Sequence, residues 1–307
     1  MNKYCLLSND VETTSIWFNK LRPETGLKVL REGMPALLDL YQKYNVRTTF
    51  FFCGDIVNIY PEVVKMVLPY NHEIASHGWS HDIHEAFDVL SLELQIEHLR
   101  KSKDVLENIS GKMVTTFRAP ALRVNNNTAI ALEECGFKID SSVASQRFDM
   151  FLSFGGIKKL KWLIAPRKPY ITSPDNLFIK GNGNITEVPL SAFLLPYTST
   201  TMRIFPRITQ LQTHFADFEY KIHNKPIVFD IHPNELIDES DEKRIISRRS
   251  KSSIGYLFGD LLRSNLKTKN LGINALQHYE KILQFYKKKN YCFIPLNEYV
   301  ENELNNK

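Results

Sequence analysis

His77-Gly78-Trp79-Ser80-His81 sets two imidazoles four residues apart. On a helical turn that spacing puts both on one face, within reach of a single cation. Asp10-Val11-Glu12 supplies two carboxylates. A metal hydrolase uses one such group to complete the ion's shell and another as the base that takes a proton from attacking water. The pair suits both roles, although Asp at a strand end also serves as a helix cap or turn former. Arg118, in Phe117-Arg118-Ala119-Pro120, is flanked by apolar residues, so its charge calls for a carboxylate partner. That ion pair is either structural or holds a catalytic carboxylate ionised and oriented. His232, in Asp230-Ile231-His232-Pro233, ends an apolar run. There a histidine is either a satisfied core group or an acid that titrates near neutrality and protonates a departing amine. His84 stands behind His81 as an outer group or a bystander.

These residues share one property: each follows a predicted strand. Residues 4–8 are apolar and end at Asn9-Asp10-Val11-Glu12, after which 27–44 has helical spacing. The β-branched and aromatic run 48–52 predicts a second strand, and Pro61 opens a helix over 61–68. A short strand at 73–75 leads to His77, and a long helix runs from the N-cap Ser91 to Gly111. Strands at 115–117 and 137–139 bracket a helix over 128–135 that Gly136 stops, and the second of them leads to Asp140. Between 143 and 223 the rhythm breaks, with a hairpin turn at Gly181-Asn182-Gly183-Asn184 and a helix over 208–223. It returns with a strand at 227–231, a charged segment over 236–273, a helix over 274–289 and a strand at 291–294. Regular alternation of this kind predicts an α/β fold with parallel strands and crossover helices. About seven strand–helix units approach the eight-fold barrel, whose active sites lie at the C-terminal rim of the strands. Asp10, Glu12, His77, His81, Arg118, Asp140 and His232 would meet there.

The 307 residues, 43% hydrophobic and 24% charged, are read as one domain over 1–307, with no linker or repeat dividing it. No run approaches the roughly 18 apolar residues of a membrane span, and Met1-Asn2-Lys3-Tyr4 does not begin a signal peptide. Cys5, Cys53, Cys135 and Cys292 lie apart among apolar neighbours, as buried free thiols would. These features predict a soluble, cytoplasmic protein. A net charge of +5 is too small to argue for nucleic acid. Lys243, Arg244, Arg248, Arg249 and Lys251 crowd one segment, as a solvated face or as a contact for the phosphate of a nucleotide sugar or an anionic membrane surface. Trp79, Tyr197 and the aromatics from Phe148 to Phe154 are candidates for stacking on sugar faces or for core packing.

Taken together, the motifs resemble those of the polysaccharide deacetylases, carbohydrate esterase family four, over residues 4–142 and 227–235. The family's His-x-x-x-His matches His77 to His81, its Arg-x-Pro matches Arg118-Ala119-Pro120, and its late catalytic His falls on His232. Its adjacent first-motif aspartates are here separated as Asp10-Val11-Glu12. The resemblance implies a distorted (β/α)7 barrel with an insertion after the fifth strand. It implies a divalent ion on Glu12, His77 and His81, Asp10 as base, and His232 as acid. Reversal of the Asp10 and Glu12 roles stays open. Asp140 matches the aspartate that supports the acid His only in following a strand. Zn is the default ion for such a donor set, with Co, Ni, Mn and Fe as alternatives. The implied reaction removes an N-acetyl or N-formyl group from a sugar carried on a nucleotide or a lipid. The wording of Ser8 to Ser15 and of Phe117 to Arg123 is similar to a cytoplasmic branch that modifies O-antigen and surface-polysaccharide sugars. The alternatives are a ureide or imide amidohydrolase of the same fold and a non-catalytic carbohydrate-binding barrel.

Overall fold

The computed structural model describes residues 2–146, 162–244 and 261–304. Phe148, Phe151 and Phe154 of the aromatic cluster, and Arg248, Arg249 and Lys251 of the basic segment, lie outside them.

The described residues form fourteen short strands in chain order: β1 Lys3–Val11, β2 Thr14–Ser15, β3 Lys20–Leu21, β4 Thr49–Phe52, β5 Glu73–Ser76, β6 Thr116–Phe117, β7 Ile139–Asp140, β8 Tyr170–Ser173, β9 Asn176–Lys180, β10 Thr186–Glu187, β11 Ala192–Phe193, β12 Leu195–Pro196, β13 Ile227–Ile231 and β14 Tyr291–Cys292. The main sheet runs β13-β1-β4-β5-β6-β7-β10-β8-β9, with β14 also on β1. Its first seven members pair in parallel, as the strand–helix alternation predicts. The hairpin β8–β9 then adds antiparallel to β10.

The ladder is an open path rather than a ring. Residues 188–191 span the remaining gap: the Val188 and Leu190 N–H groups donate to the Asp140 and Val143 carbonyls at 2.8 Å, and the Ser191 N–H donates to Val228 at 3.1 Å. The barrel is therefore distorted at one seam, where a few backbone hydrogen bonds replace a full strand pairing.

Strand alternation divides the core in two. Cys5 and Leu7 of β1, Phe50 and Phe52 of β4, and Phe229 of β13 face the surrounding helices. Leu6, Phe51, Ala75, Ile139, Val188 and Val228 pack together inside the barrel. Continuing each inward ladder by two residues toward the strand's C-terminal end replaces apolar groups with polar ones. Leu6 is followed by Ser8 and Asp10, Ala75 by His77, and Val228 by Asp230 and His232. The polar rim thus rests on an apolar plug.

Several elements differ from the sequence reading. Asn9, Asp10 and Val11 belong to β1, because β4 and β13 pair alongside them. The region read as an insertion over 143–223 contains β10, the sixth parallel strand. Gly181–Asn184 leads from β9 into β10, whereas the tight turn of that hairpin is Pro174-Asp175. A helix at Gly54–Ile59 precedes Pro61; only Glu62–Lys65 and a 3-10 turn follow it. The long helix Leu92–Ser110 is as read, with the Ser91 hydroxyl accepting from the Leu94 N–H and Gly111 closing it in the left-handed region. Within the reading 27–44, Pro23–Lys28 and Met34–Tyr44 are joined by a π turn at Val29–Gly33. A Cβ on Gly33 would lie 2.4 Å from the Pro233 carbonyl oxygen. Glycine there lets the helix approach the loop that carries His232.

Candidate active site

β1, β5, β6 and β13 bring Asp10, Glu12, His77, His81, Arg118 and His232 to one rim. Arg118 is fully buried at its centre. Its Nη1 donates to Asp10 Oδ1 at 2.9 Å, to Asp230 Oδ1 at 2.6 Å and to the Ser8 hydroxyl at 2.8 Å. Nε and Nη2 donate to the Ser141 carbonyl and hydroxyl. The guanidinium lies 4.3 Å over the Phe51 ring, the top of the apolar plug. Arginine suits this position because its fork answers several acceptors at fixed angles.

Asp10 uses one oxygen for Arg118 and leaves Oδ2 between two imidazoles, 3.6 Å from His77 Nε2 and 3.8 Å from His232 Nε2. The two rings titrate in opposite directions. Burial, helped by the charges of His81 and Arg118, drives His77 down to about 3, so it is neutral. Its Nδ1 lies 2.8 Å from the Arg118 carbonyl oxygen, an acceptor only, so Nδ1 carries the proton and Nε2 a lone pair. That Nε2 is buried and has no hydrogen-bond partner.

Burial also disfavours charge on His232, but Asp230, Glu235, Asp10 and Glu12 together outweigh it and push the group up to about 9. Asp230 Oδ2 lies 3.6 Å from His232 Nε2. Burial and the neighbouring Asp10 raise Asp230 to about 6 against the pull of Arg118. Ser199 Oγ and Glu235 Oε2 face the other ring nitrogen at 3.4 and 3.9 Å.

Glu12 and His81 complete the opposite side. Glu12 Oε2 lies 3.4 Å from His81 Nε2 and accepts from the Thr14 hydroxyl. Burial works against its carboxylate, but His81, His232 and His77 hold it below the usual range. His81 does not sit with His77 on a helical turn, as the four-residue spacing predicts. The chain from His77 to His81 is irregular, with Gly78 in the left-handed region, and the rings stand 5.7 Å apart. His81 Nε2 accepts the Ala121 N–H at 3.2 Å. Ala121 and Leu122 are consecutive non-glycine residues at positive φ.

Two donor sets therefore share this rim. Asp10, Asp230 and His232 bring ligand atoms within 4.8 Å of one another. Arg118 Nη1 already binds one oxygen of each of those carboxylates, and an ion there would have to displace the proton of His232. Glu12 Oε2 stands 3.4 Å from His81 Nε2, and His77 Nε2, with its buried unpartnered lone pair, stands 3.6 Å from Asp10 Oδ2; each separation is one that two ligands of a single ion about 2.0–2.1 Å from each can have. On the His77 side the buried, unpartnered Nε2 is the atom that calls for a cation.

Asp140 is placed elsewhere. It is buried against Ser142 and Glu187, and burial raises both carboxyl groups above their ordinary values. It reaches the rim indirectly, through the Ser142 hydroxyl that accepts the Ala119 N–H. The carboxylates found against His232 are Asp230 and Glu235. Asp230 could have been picked from sequence, because it lies two residues before His232 in a strand and so on the same face.

Tyr197 is buried, its hydroxyl bonded with those of Thr213 and Tyr286, so it is a core residue and not a sugar platform. Trp79 is also occupied. It packs so closely on Gly54 that a Cβ there would come within 2.5 Å of the indole, and Lys101 Nζ sits 3.4 Å over the ring. Asp82 caps the short turn Ile83–Glu85, its carboxylate accepting the His84 N–H at 2.8 Å.

Residues 15–139 match the polysaccharide deacetylase family model. His77, His81 and Arg118 lie inside that match; Asp10, Glu12, Asp140, Asp230 and His232 lie outside it. A peptidoglycan deacetylase from Helicobacter pylori is 32% identical over 123 residues, 40% of this chain and 41% of that protein. The Bacillus subtilis peptidoglycan-N-acetylmuramic acid deacetylase PdaC is 32% identical over 90 residues, 29% of this chain and 19% of that protein. The chain thus spans less than half the length of these curated relatives. Among solved structures, a Mycobacterium smegmatis protein described as a polysaccharide deacetylase superposes with a TM-score of 0.61 at 16% identity, covering 98% of this chain and 90% of its own. A CE4 family pseudoenzyme from Bacillus anthracis superposes at 0.52 and 13%, covering 97% and 65%. At those identities the likeness is one of fold. No described helix is long and apolar enough to cross a membrane. Over residues 15–139, then, the chain is similar to the polysaccharide deacetylases.

Proposed function

We propose that the protein is a metal-dependent N-deacetylase that hydrolyses the amide linking an acetyl or formyl group to a sugar nitrogen. The observation that carries this reading is the pair of imidazoles flanking Asp10 Oδ2, one neutral with a buried lone pair and the other protonated. Opposed titration of this kind separates ligand from acid.

Glu12, His77 and His81 would hold the divalent ion, Zn by donor preference. When bound, the ion would polarise the acyl carbonyl and lower the pKa of water from about 16 toward about 7. Asp10, fixed through Oδ1 by Arg118, takes the proton of the attacking water on Oδ2. His232, charged by its carboxylate neighbours, gives its proton to the departing nitrogen, which leaves as an amine. Arg118 keeps Asp10 and Asp230 apart in role: it binds both, yet only Asp10 also faces His77.

The curated relatives named as peptidoglycan deacetylases support an N-acylated sugar as substrate class. A sugar on a nucleotide or lipid phosphate, in surface-polysaccharide or O-antigen metabolism within the cytoplasm, is the finer form of the proposal. Metal analysis followed by a screen of N-acetylated and N-formylated sugars, free and carrier-linked, tests it by release of amine and acid. Release that stops with chelator and with Asp10→Asn supports the reading. A protein that holds no ion and releases no amine is a binding module instead.

A further inference from the structure

The helix Pro206–His223 carries a second set of features that the proposed reaction does not use. Ile208, Leu211, Phe215, Phe218 and Ile222 follow one another at intervals of three and four, which aligns them in a stripe along one helix face. In an ordinary barrel helix this stripe would face the strands. Here the inward face is the other one, Thr209, Gln212, Thr213 and Ala216 being buried. The apolar stripe faces out: Leu211 is 66% exposed, Phe218 58% and Ile222 56%.

The β11–β12 turn extends the same surface. Phe193 stacks on Phe215 at 4.3 Å between ring centroids, and Leu194 beside it is 55% exposed and held at a φ of 62°. The turn requires a positive φ at Leu194, and it leaves the leucine side chain in solvent beside the Phe193–Phe215 stack.

Charge decides the occupant. The groove of about 370 Å³ between this helix and the helix Ile273–Lys288 is lined by Arg207, His214, His278 and Lys281 over apolar Met202 and Phe285, with no carboxylate. A neighbouring groove at the helix start adds Lys269, again without an acid. Among the described residues Arg207 and Lys281 have no ion-pair partner. A second copy of the chain would set these cations against one another. An anionic bilayer answers them, while the apolar stripe enters the boundary between headgroups and acyl chains.

We infer that the outward face of Pro206–His223, with the Phe193–Leu194 tip, docks the protein peripherally on an anionic lipid membrane. This inference does not depend on the reaction.

Co-sedimentation of the full chain with phosphatidylglycerol-containing vesicles, compared with pure phosphatidylcholine vesicles, tests it. Binding is expected to the anionic vesicles and to weaken with salt. Leu211→Asp with Phe218→Asp, and separately Arg207→Glu with Lys281→Glu, should each weaken it by roughly tenfold or more. All four side chains lie at the surface or groove, and circular dichroism verifies that the variants fold. Unchanged vesicle binding in folded Leu211→Asp/Phe218→Asp overturns the inference. So does sedimentation showing a wild-type dimer that this variant abolishes, with no vesicle binding, since the face would then pair with a second copy.

Discussion

The two sides of Asp10 are built from the same residue types to opposite ends. On one side His77 is sealed by burial, donates Nδ1–H to a backbone carbonyl and is left with a naked Nε2. On the other, His232 is partly open and ringed by Asp230, Glu235, Asp10 and Glu12. An imidazole is thus a candidate ligand or a candidate acid according to its neighbours, and the position of Arg118 decides which carboxylates are left to act. By binding Asp10 and Asp230 it leaves Glu12 as the acid residue without a guanidinium on the ligand side.

That contrast can be broken at its centre. Asp10→Asn should lower kcat by about 10³-fold to 10⁴-fold, as for a lost general base, while metal binding persists. An equal loss of metal would make Asp10 the ligand and Glu12 the base, the reverse assignment. Arg118→Met leaves two buried carboxylates unanswered and should cost about 3–5 kcal/mol of stability, read by chemical denaturation. A cost below about 1 kcal/mol would mean that Arg118 does not hold the rim together.

Titration sharpens the comparison. In metal-free protein, imidazole resonances should show His232 protonated to about pH 9 and His77 neutral down to about pH 3. Because the His232 value is raised above the unfolded value of about 6.5, its stabilising contribution is complete below that pH and is lost as pH rises through about 9. Asp230→Asn should move the His232 midpoint down; an unmoved midpoint would assign its charge to Glu235 instead. The smallest effect is expected at Gly33→Ala. Its Cβ must displace the Pro233 carbonyl, costing about 1–3 kcal/mol and lowering kcat modestly through the His232 loop.

Much of the rim is legible in sequence because barrel geometry turns distant strand ends into neighbours. Asp10, His77, Arg118 and His232 each lie on or just beyond a strand of hydrophobic or β-branched residues. The period of two then fixes which side chains point inward. Asp230 carries the same signal, two residues before His232 in the same strand. The pairing of Asp140 with Glu187 is not legible, since the two-residue strand β10 has no periodicity of its own and is placed by its neighbours. Nor is the course from His77 to His81, where a spacing of four suggests a helix that Gly78 does not form. The outward stripe on Pro206–His223 reads in sequence as an ordinary amphipathic helix; only the fold reveals that the face turned inward is the other one.

In the proposed enzyme the ion sits on the His77 side of Asp10 and the proton on the His232 side. Calorimetric titration of Zn into metal-free wild type, His77→Ala and Asp230→Ala tests it most directly. His77→Ala should abolish tight binding, and Asp230→Ala should retain it. Tight binding that survives His77→Ala and disappears in Asp230→Ala would contradict it.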